Sequence, residues 1–225
     1  MTGSKAKMSF IFATILLDCL GIGIIIPTLP DVVRRLVADP AVINDYYGYF
    51  ISAYAMMQFI ASPVLGSLSD RFGRRPVLLV SLLGAGLDYL LMAFAPNIVI
   101  LFIGRIISGL TGASMTVATS YIADVSDDSN RSANFGMIGA AFGIGFIIGP
   151  LLGGFLGQWG PTFPFIGAAV LNLLNFAFGI FVLPESLPTE GRRPFSLRRI
   201  NPFHSLRKIL RPSPILFLIF AYSLE

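Results

Sequence analysis

Three ionisable side chains stand inside long apolar runs. They are Asp18 in SFIFATILLDCLGIGIIIP, Asp88 in VSLLGAGLDYLLMAF and Arg105 in IVILFIGRIISGL. An ionised residue within a membrane span costs roughly 2.5–3.5 kcal/mol on insertion scales, so one that is kept there has a task by default. A carboxylate in a low-dielectric surrounding has its charged form disfavoured, and it can therefore take up and give back a proton. Proton handling, or contact with a polar group of a cargo, is the chemistry expected of Asp18 and Asp88. Arg105 lies at about the same depth as Asp88, so a static Asp88–Arg105 pair that fixes helix packing is the plainer alternative. Two acids and one base still leave one carboxylate without an intramembrane cation. Gln58, in YAMMQFIASP, is a milder candidate for a cargo contact. The chain has no nucleophile–histidine pair, no metal-ligand spacing and no Walker-type glycine loop, so no enzyme, no cofactor and no ATP-driven step is expected.

The elements that carry these residues follow from composition. Hydrophobic residues make up 55% of the 225, charged residues 12%, and the mean hydropathy is +0.78. A soluble domain carries about a quarter charged residues, so this surface faces lipid. Crossing a bilayer of roughly 30 Å takes about 20 apolar residues. Six runs qualify: 8–29, 46–68, 76–95, 98–122, 133–156 and 163–183. The first is too long for a cleaved leader and holds Asp18 at its centre. Lone Cys19 excludes an internal disulfide. Of the 16 Lys and Arg residues, 13 fall before span 1, between spans 2 and 3, before span 5 or after span 6. By the positive-inside rule these segments and the N-terminus are cytoplasmic. The net charge of +4 is thereby read as membrane topology, and no nucleic-acid partner is expected.

The expected fold is an all-α integral membrane bundle with three parts. Residues 1–183 form six helices, 184–213 a cytoplasmic basic linker, and 214–225 the start of a seventh helix, cut away from its continuation. Within the linker, SLRRINPFHSLRKILRP is expected to lie on the membrane surface as a short helix, with His204 at the interface. GAGLDYLLMAF (84–94) aligns without gaps to AAVLNLLNFAF (168–178) with five identities, setting Asp88 opposite Asn172. The two stretches run in opposite directions across the membrane, which predicts a 3+3 inverted repeat.

Two further patterns stand out. GSLSDRFGRRP places Gly66, Asp70, Arg71, Gly73, Arg74 and Arg75 in the short gap between spans 2 and 3. Gly73 is expected to allow the turn and Asp70 to end the helix before it. In GMIGAAFGIGFIIGPLLGGFLG, Gly145, Gly149, Gly153 and Gly157 recur every four residues. That stripe lets another helix approach at backbone distance, and Pro150 is expected to bend the helix.

Together these stretches resemble the major facilitator superfamily. GSLSDRFGRRP is similar to its loop signature Gly-x-x-x-Asp-Arg-x-Gly-Arg-Arg. GIGFIIGPLLGG resembles the Gly-x-x-x-Gly-Pro-x-x-Gly-Gly motif of its drug–proton antiporters, through Gly145, Gly149, Pro150, Gly153 and Gly154. GRIISGLTGA resembles the helix 4 motif built around an Arg, here Arg105. LLDCLGIGIIIPTLP and the segment from Ser69 to Leu91 look like stretches of bacterial tetracycline–proton antiporters, in which acids matching Asp18 and Asp88 matter for transport.

The resemblance implies proton-driven export of an amphipathic drug from a bacterial inner membrane. Tetracycline leads as cargo, carried as a divalent-metal chelate. It also implies a latch in which Asp70 and Arg74 bridge to Asp124 and to an opposing bundle. The family has twelve helices, so a second six-helix half is the implied partner, one of whose helices the Gly145–Gly157 stripe would face. The half is supplied by the same gene, a separate chain or a second copy. Two alternatives stay open: a facilitator with another cargo (a different drug, sugar, lipid or siderophore), and a non-transporting receptor or assembly subunit on the same bundle.

Overall fold

The computed structural model of the chain describes residues 2–37, 39–112 and 114–194, with side chains from residue 8 onward. The interfacial helix, His204 and the seventh-helix start all lie outside the described residues.

Seven helical segments account for the apolar runs: α1 (Thr2–Leu36), α2 (Ile43–Phe72), α3 (Arg74–Ala93), α4 (Ile98–Gly112), α5 (Ser114–Val125), α6 (Arg131–Gly157) and α7 (Phe163–Val182). α4 and α5 share the span Ile98–Val125, so among the described residues six segments are long and apolar enough to cross a membrane. α1 and α2 outrun their expected ends the furthest. α1 continues through Pro27 and Pro30 because Leu29, Val32 and Val33 stay buried against the bundle. Proline is tolerated within a membrane helix where neighbouring helices cover the freed carbonyl. α2 runs two residues past Asp70, to Phe72, and stops at Gly73. There φ is +105° and ψ 157°, a backbone region open essentially to glycine alone.

The packing carries the internal repeat. α1 lies along α6, α2 along α4, and α3 along α7. In span numbers these pairs are 1–5, 2–4 and 3–6. Exchanging the first three spans with the last three returns the same set, as a 3+3 repeat requires.

Two apolar layers fill the interior. Phe10, Ile11, Ile15, Leu78, Val117 and Tyr121 pack at the end bearing the Asp70–Arg75 loop, here called the basic end. Ile24, Ile25, Val33, Phe50, Leu101 and Phe165 pack at the opposite end. Asp18 lies between the two layers.

The glycine stripe corrects its expectation. It seats α6 against α1 inside this half. A Cβ on Gly149 would lie 2.7 Å from the Gly23 Cα, one on Gly153 2.5 Å from the Ile24 carbonyl oxygen, and one on Gly145 would run into Cys19. At Gly157 the nearest atom is 3.9 Å away, and Gly154 has nothing within 4 Å. Four-residue spacing defines a helix face, but it does not name the helix that uses it. Pro150 packs beside Gly23 in the same seam, and α6 runs through it without interruption.

Candidate functional site

Between the two apolar layers lies a cavity of about 280 Å³ to which every span contributes. Its polar lining comes from Asp18 on α1, Gln58 on α2, Asp88 on α3, Ser108 on α4, Ser114 on α5 and Asn172 on α7. Tyr54, Tyr89, Phe142 and Phe146 add aromatic surface. The Ser114 hydroxyl donates to the Asp18 carboxylate at 2.8 Å, and the Ser108 hydroxyl donates to Asp88. Asp88 is 3% exposed, and its second oxygen, Oδ1, has no hydrogen-bond partner among the described residues. The ion pairs among the described residues are Arg34–Asp31, Arg74–Asp70 and Arg74–Asp124, so neither cavity acid has a cation within 4 Å. Gln58 donates to the Gly112 carbonyl at 3.2 Å, tying α2 to the end of α4.

Arg105 stands outside this group, and the Asp88–Arg105 pair is not formed. Its guanidinium lies over the Tyr54 ring at 4.8 Å from the centroid, an arrangement that attracts a cation to the ring face. It lines a separate cavity of about 30 Å³ with Tyr47, Tyr54 and Tyr89. Equal depth fixes only the position along a helix axis. Successive residues turn by roughly 100°, and on α4 it is Gly104 and Ser108 that face Asp88. Among the described residues no three His, Cys, Asp or Glu side chains gather as a metal site.

A second polar cluster sits at the basic end. Arg74, 7% exposed, pairs through Nη1 with Asp70 at 2.7 Å and through Nε with Asp124 at 3.1 Å. It also donates to the Ser69 hydroxyl at 2.6 Å. This joins Asp70, Arg74 and Asp124. A Cβ on Gly66 would meet the Thr116 side chain on α5 at 3.6 Å, an ordinary contact, so the packing there does not demand glycine. Arg75 donates to the Ile180 carbonyl at 2.7 Å, whereas Arg71 lies over the Phe72 ring beside the network.

The sequence reading missed Glu185. Its carboxylate accepts the backbone N–H groups of Arg74 at 2.8 Å and Arg75 at 3.3 Å. It thereby caps the first turn of α3, whose N–H groups have no partner within the helix. It also places a negative charge at the positive end of the helix dipole. A Cβ on Gly73 would run into this carboxylate, the far end of a flexible side chain, so it is the positive φ that requires glycine there. Ser186 adds a bond to Asp124 at 3.0 Å. Nothing around Glu185 in the sequence marks it, because its partners are more than a hundred residues away. Ser108 and Ser114 carry no signal of their own in the sequence, whereas Asn172 has one in its repeat position opposite Asp88.

A family model described as Major Facilitator Superfamily matches residues 11–224. The chain is 49% identical over 204 residues to "Tetracycline resistance protein, class C" of Escherichia coli, covering 91% of this chain and 51% of that protein. It is 52% identical over 172 residues to the class E protein of Escherichia coli, covering 76% and 42%. To "Multidrug resistance protein 2" of Bacillus subtilis it is 32% identical over 211 residues, covering 92% and 52%. Among solved structures, the human organic anion transporter MFSD10 (TETRAN) superposes with a TM-score of 0.80 at 25% identity, covering 91% of this chain and 55% of that one. The chain spans about half the length of these relatives. With six membrane-length helices, a 3+3 repeat and a family match over nearly its whole length, the chain belongs to the major facilitator superfamily, a family of membrane transporters, and carries the amino-terminal half of its fold.

Proposed function

We propose that this chain is the amino-terminal half of an exporter that exchanges protons for an amphipathic drug by alternating access, with tetracycline, as its divalent-metal chelate, the cargo. The observation that carries the reading is the convergence of Asp18 and Asp88 on one aromatic-lined cavity, each held by a serine hydroxyl and neither paired with a cation among the described residues. Buried charges are ordinarily paired, and an unpaired carboxyl is suited to changing its protonation state. Relatives that share about half of this chain's residues and bear the name tetracycline resistance protein support the cargo. The metal travels as part of the cargo, the proton is the coupling ion, and no resident cofactor is required. The membrane is a bacterial inner membrane, with the basic end and N-terminus cytoplasmic by the distribution of Lys and Arg. A second six-helix half completes the cavity, because alternating access rocks one bundle against another.

The test is uptake of tetracycline with Mg²⁺ into inside-out vesicles that hold this chain together with its completing half. Uptake is expected to need a proton gradient and to stop when the gradient is collapsed. Accumulation that ignores the collapse would refute the coupling. A second reading keeps the pump and broadens the cargo, favoured by the likeness to a multidrug resistance protein at 32% identity. Competition by unrelated lipophilic cations in the same vesicles separates the two.

A further inference from the structure

Asn172 is almost wholly buried, at 1% exposure, yet it lines the central cavity together with Asp88. Its Nδ2 donates to the Ala168 carbonyl one turn earlier on α7, at 3.0 Å. That bond fixes which way the amide faces and leaves Oδ1 as the free atom, without a partner among the described residues. Asp88 Oδ1 is in the same situation. A buried acceptor left unsatisfied is costly, about 1–3 kcal/mol, so two on one cavity call for an explanation.

The repeat supplies their relation. The alignment of 84–94 with 168–178 sets Asp88 and Asn172 at equivalent positions of the two repeat units. α3 and α7 pack on each other at this level: a Cβ on Gly86 would lie 2.6 Å from the Leu173 side chain. Gly86 is two residues before Asp88, and Leu173 adjoins Asn172. The inverted repeat therefore brings equivalent positions of its two units to one cavity, each with a buried acceptor oxygen that has no partner among the described residues. Asn175, one turn on, is engaged elsewhere, accepting from Thr14 at 3.5 Å.

We infer that Asp88 and Asn172 form a two-oxygen acceptor station in which an N–H or O–H donor group of the cargo is bound, Asn172 being a cargo-contact residue. The inference rests on the exporter reading and extends it. A proton taken up on Oδ1, the oxygen that Ser108 does not hold, turns it from acceptor to donor, so the cargo group loses one of its two acceptors, and proton and cargo compete for the station. The pseudo-two-fold relation also means that the carboxylate has an equivalent place on the other side of the cavity.

The experiment exchanges the two side chains. Asp88→Asn, Asn172→Ala and the double variant Asp88→Asn/Asn172→Asp are compared for tetracycline–Mg²⁺ uptake in vesicles that hold the chain with its completing half. Asp88→Asn is expected to lower proton-driven uptake by about 100-fold, and the exchange to restore at least about tenfold of that loss. Asn172→Ala, which removes one neutral hydrogen bond, is expected to raise KM about fivefold with kcat nearly unchanged. A double variant no better than Asp88→Asn, or an unchanged KM in Asn172→Ala, overturns the station. Undiminished uptake in Asp88→Asn overturns the exporter reading on which it rests. A purely structural asparagine gives no rescue on exchange.

Discussion

The cavity and the basic end use the same residue types to opposite effect. In the cavity, Asp18 and Asp88 each take one hydroxyl donor and no cation. At the basic end, Asp70 and Asp124 share a guanidinium, and Glu185 takes two backbone N–H groups. The acids of the basic end are thus met by cations and backbone amides. A carboxyl supplied only with a hydroxyl keeps that bond in either form, since the oxygen facing the hydroxyl still accepts when the other carries a proton. The basic end thus ties its acids into the packing of the bundle, whereas the cavity gives each acid a single hydroxyl.

The comparison is broken most directly by removing charge from each region in turn. Asp18→Asn keeps the bond from Ser114, since an amide oxygen also accepts. Its expected result is a fall in proton-driven uptake of about 100-fold, with stability in detergent changed by less than about 1 kcal/mol. Vesicle uptake and thermal unfolding read the two effects separately. If Asp18→Asn unfolds the bundle, its charge is structural and the contrast with the basic end disappears.

Arg74→Ala should do the reverse. It leaves Asp70 and Asp124 facing each other without their cation. Breaking a buried pair costs about 3–5 kcal/mol, but the two acids are 32% and 23% accessible, so water offsets part of the loss. The expected cost is about 2 kcal/mol, seen as a lower unfolding midpoint. Glu185→Ala should cost less, about 1 kcal/mol, in line with other lost helix caps. Hydrogen exchange at the amides of Arg74 and Arg75 should rise in that variant and stay unchanged in Asp18→Asn. Equal protection in parent and Glu185→Ala would remove Glu185 from the network.

What the sequence disclosed follows the range of the interaction. Spans, the two acids and the turn at Gly73 are matters of composition and local backbone, and each was legible. The joining of Asp70, Arg74 and Asp124 came through family likeness, not through spacing. Arg105 was placed at the right depth but on the wrong face, because one residue along α4 turns the side chain away from Asp88 toward Tyr54. The glycine stripe announced a close helix contact without naming α1 as the partner. Glu185 was invisible, since its two donors lie 111 and 110 residues away in the chain. Only the repeat, by aligning Asn172 with Asp88, brought a distant cavity residue within reach of sequence reasoning.

The smallest effect expected lies in the exposed turn before α6, where Asp127 offers a third kind of carboxylate environment. Its side chain accepts the Ser129 hydroxyl at 2.5 Å, the Ser129 N–H at 2.9 Å and the Asn130 N–H at 3.2 Å. These donors, led by the Ser129 hydroxyl, hold the carboxyl below its ordinary range. A carboxyl lowered in the folded state stabilises the turn above the unfolded value, and that contribution is lost as pH falls through the folded value. Exchange protection of the Ser129 and Asn130 amides, corrected for intrinsic rate, should therefore hold at neutral pH and decline only below the usual carboxylate range. Asp127→Asn should lack this acid-dependent decline. Solvent screens so exposed a group, so global stability should barely move while local protection does. A pH-independent protection in the parent would show that backbone geometry alone sets the turn.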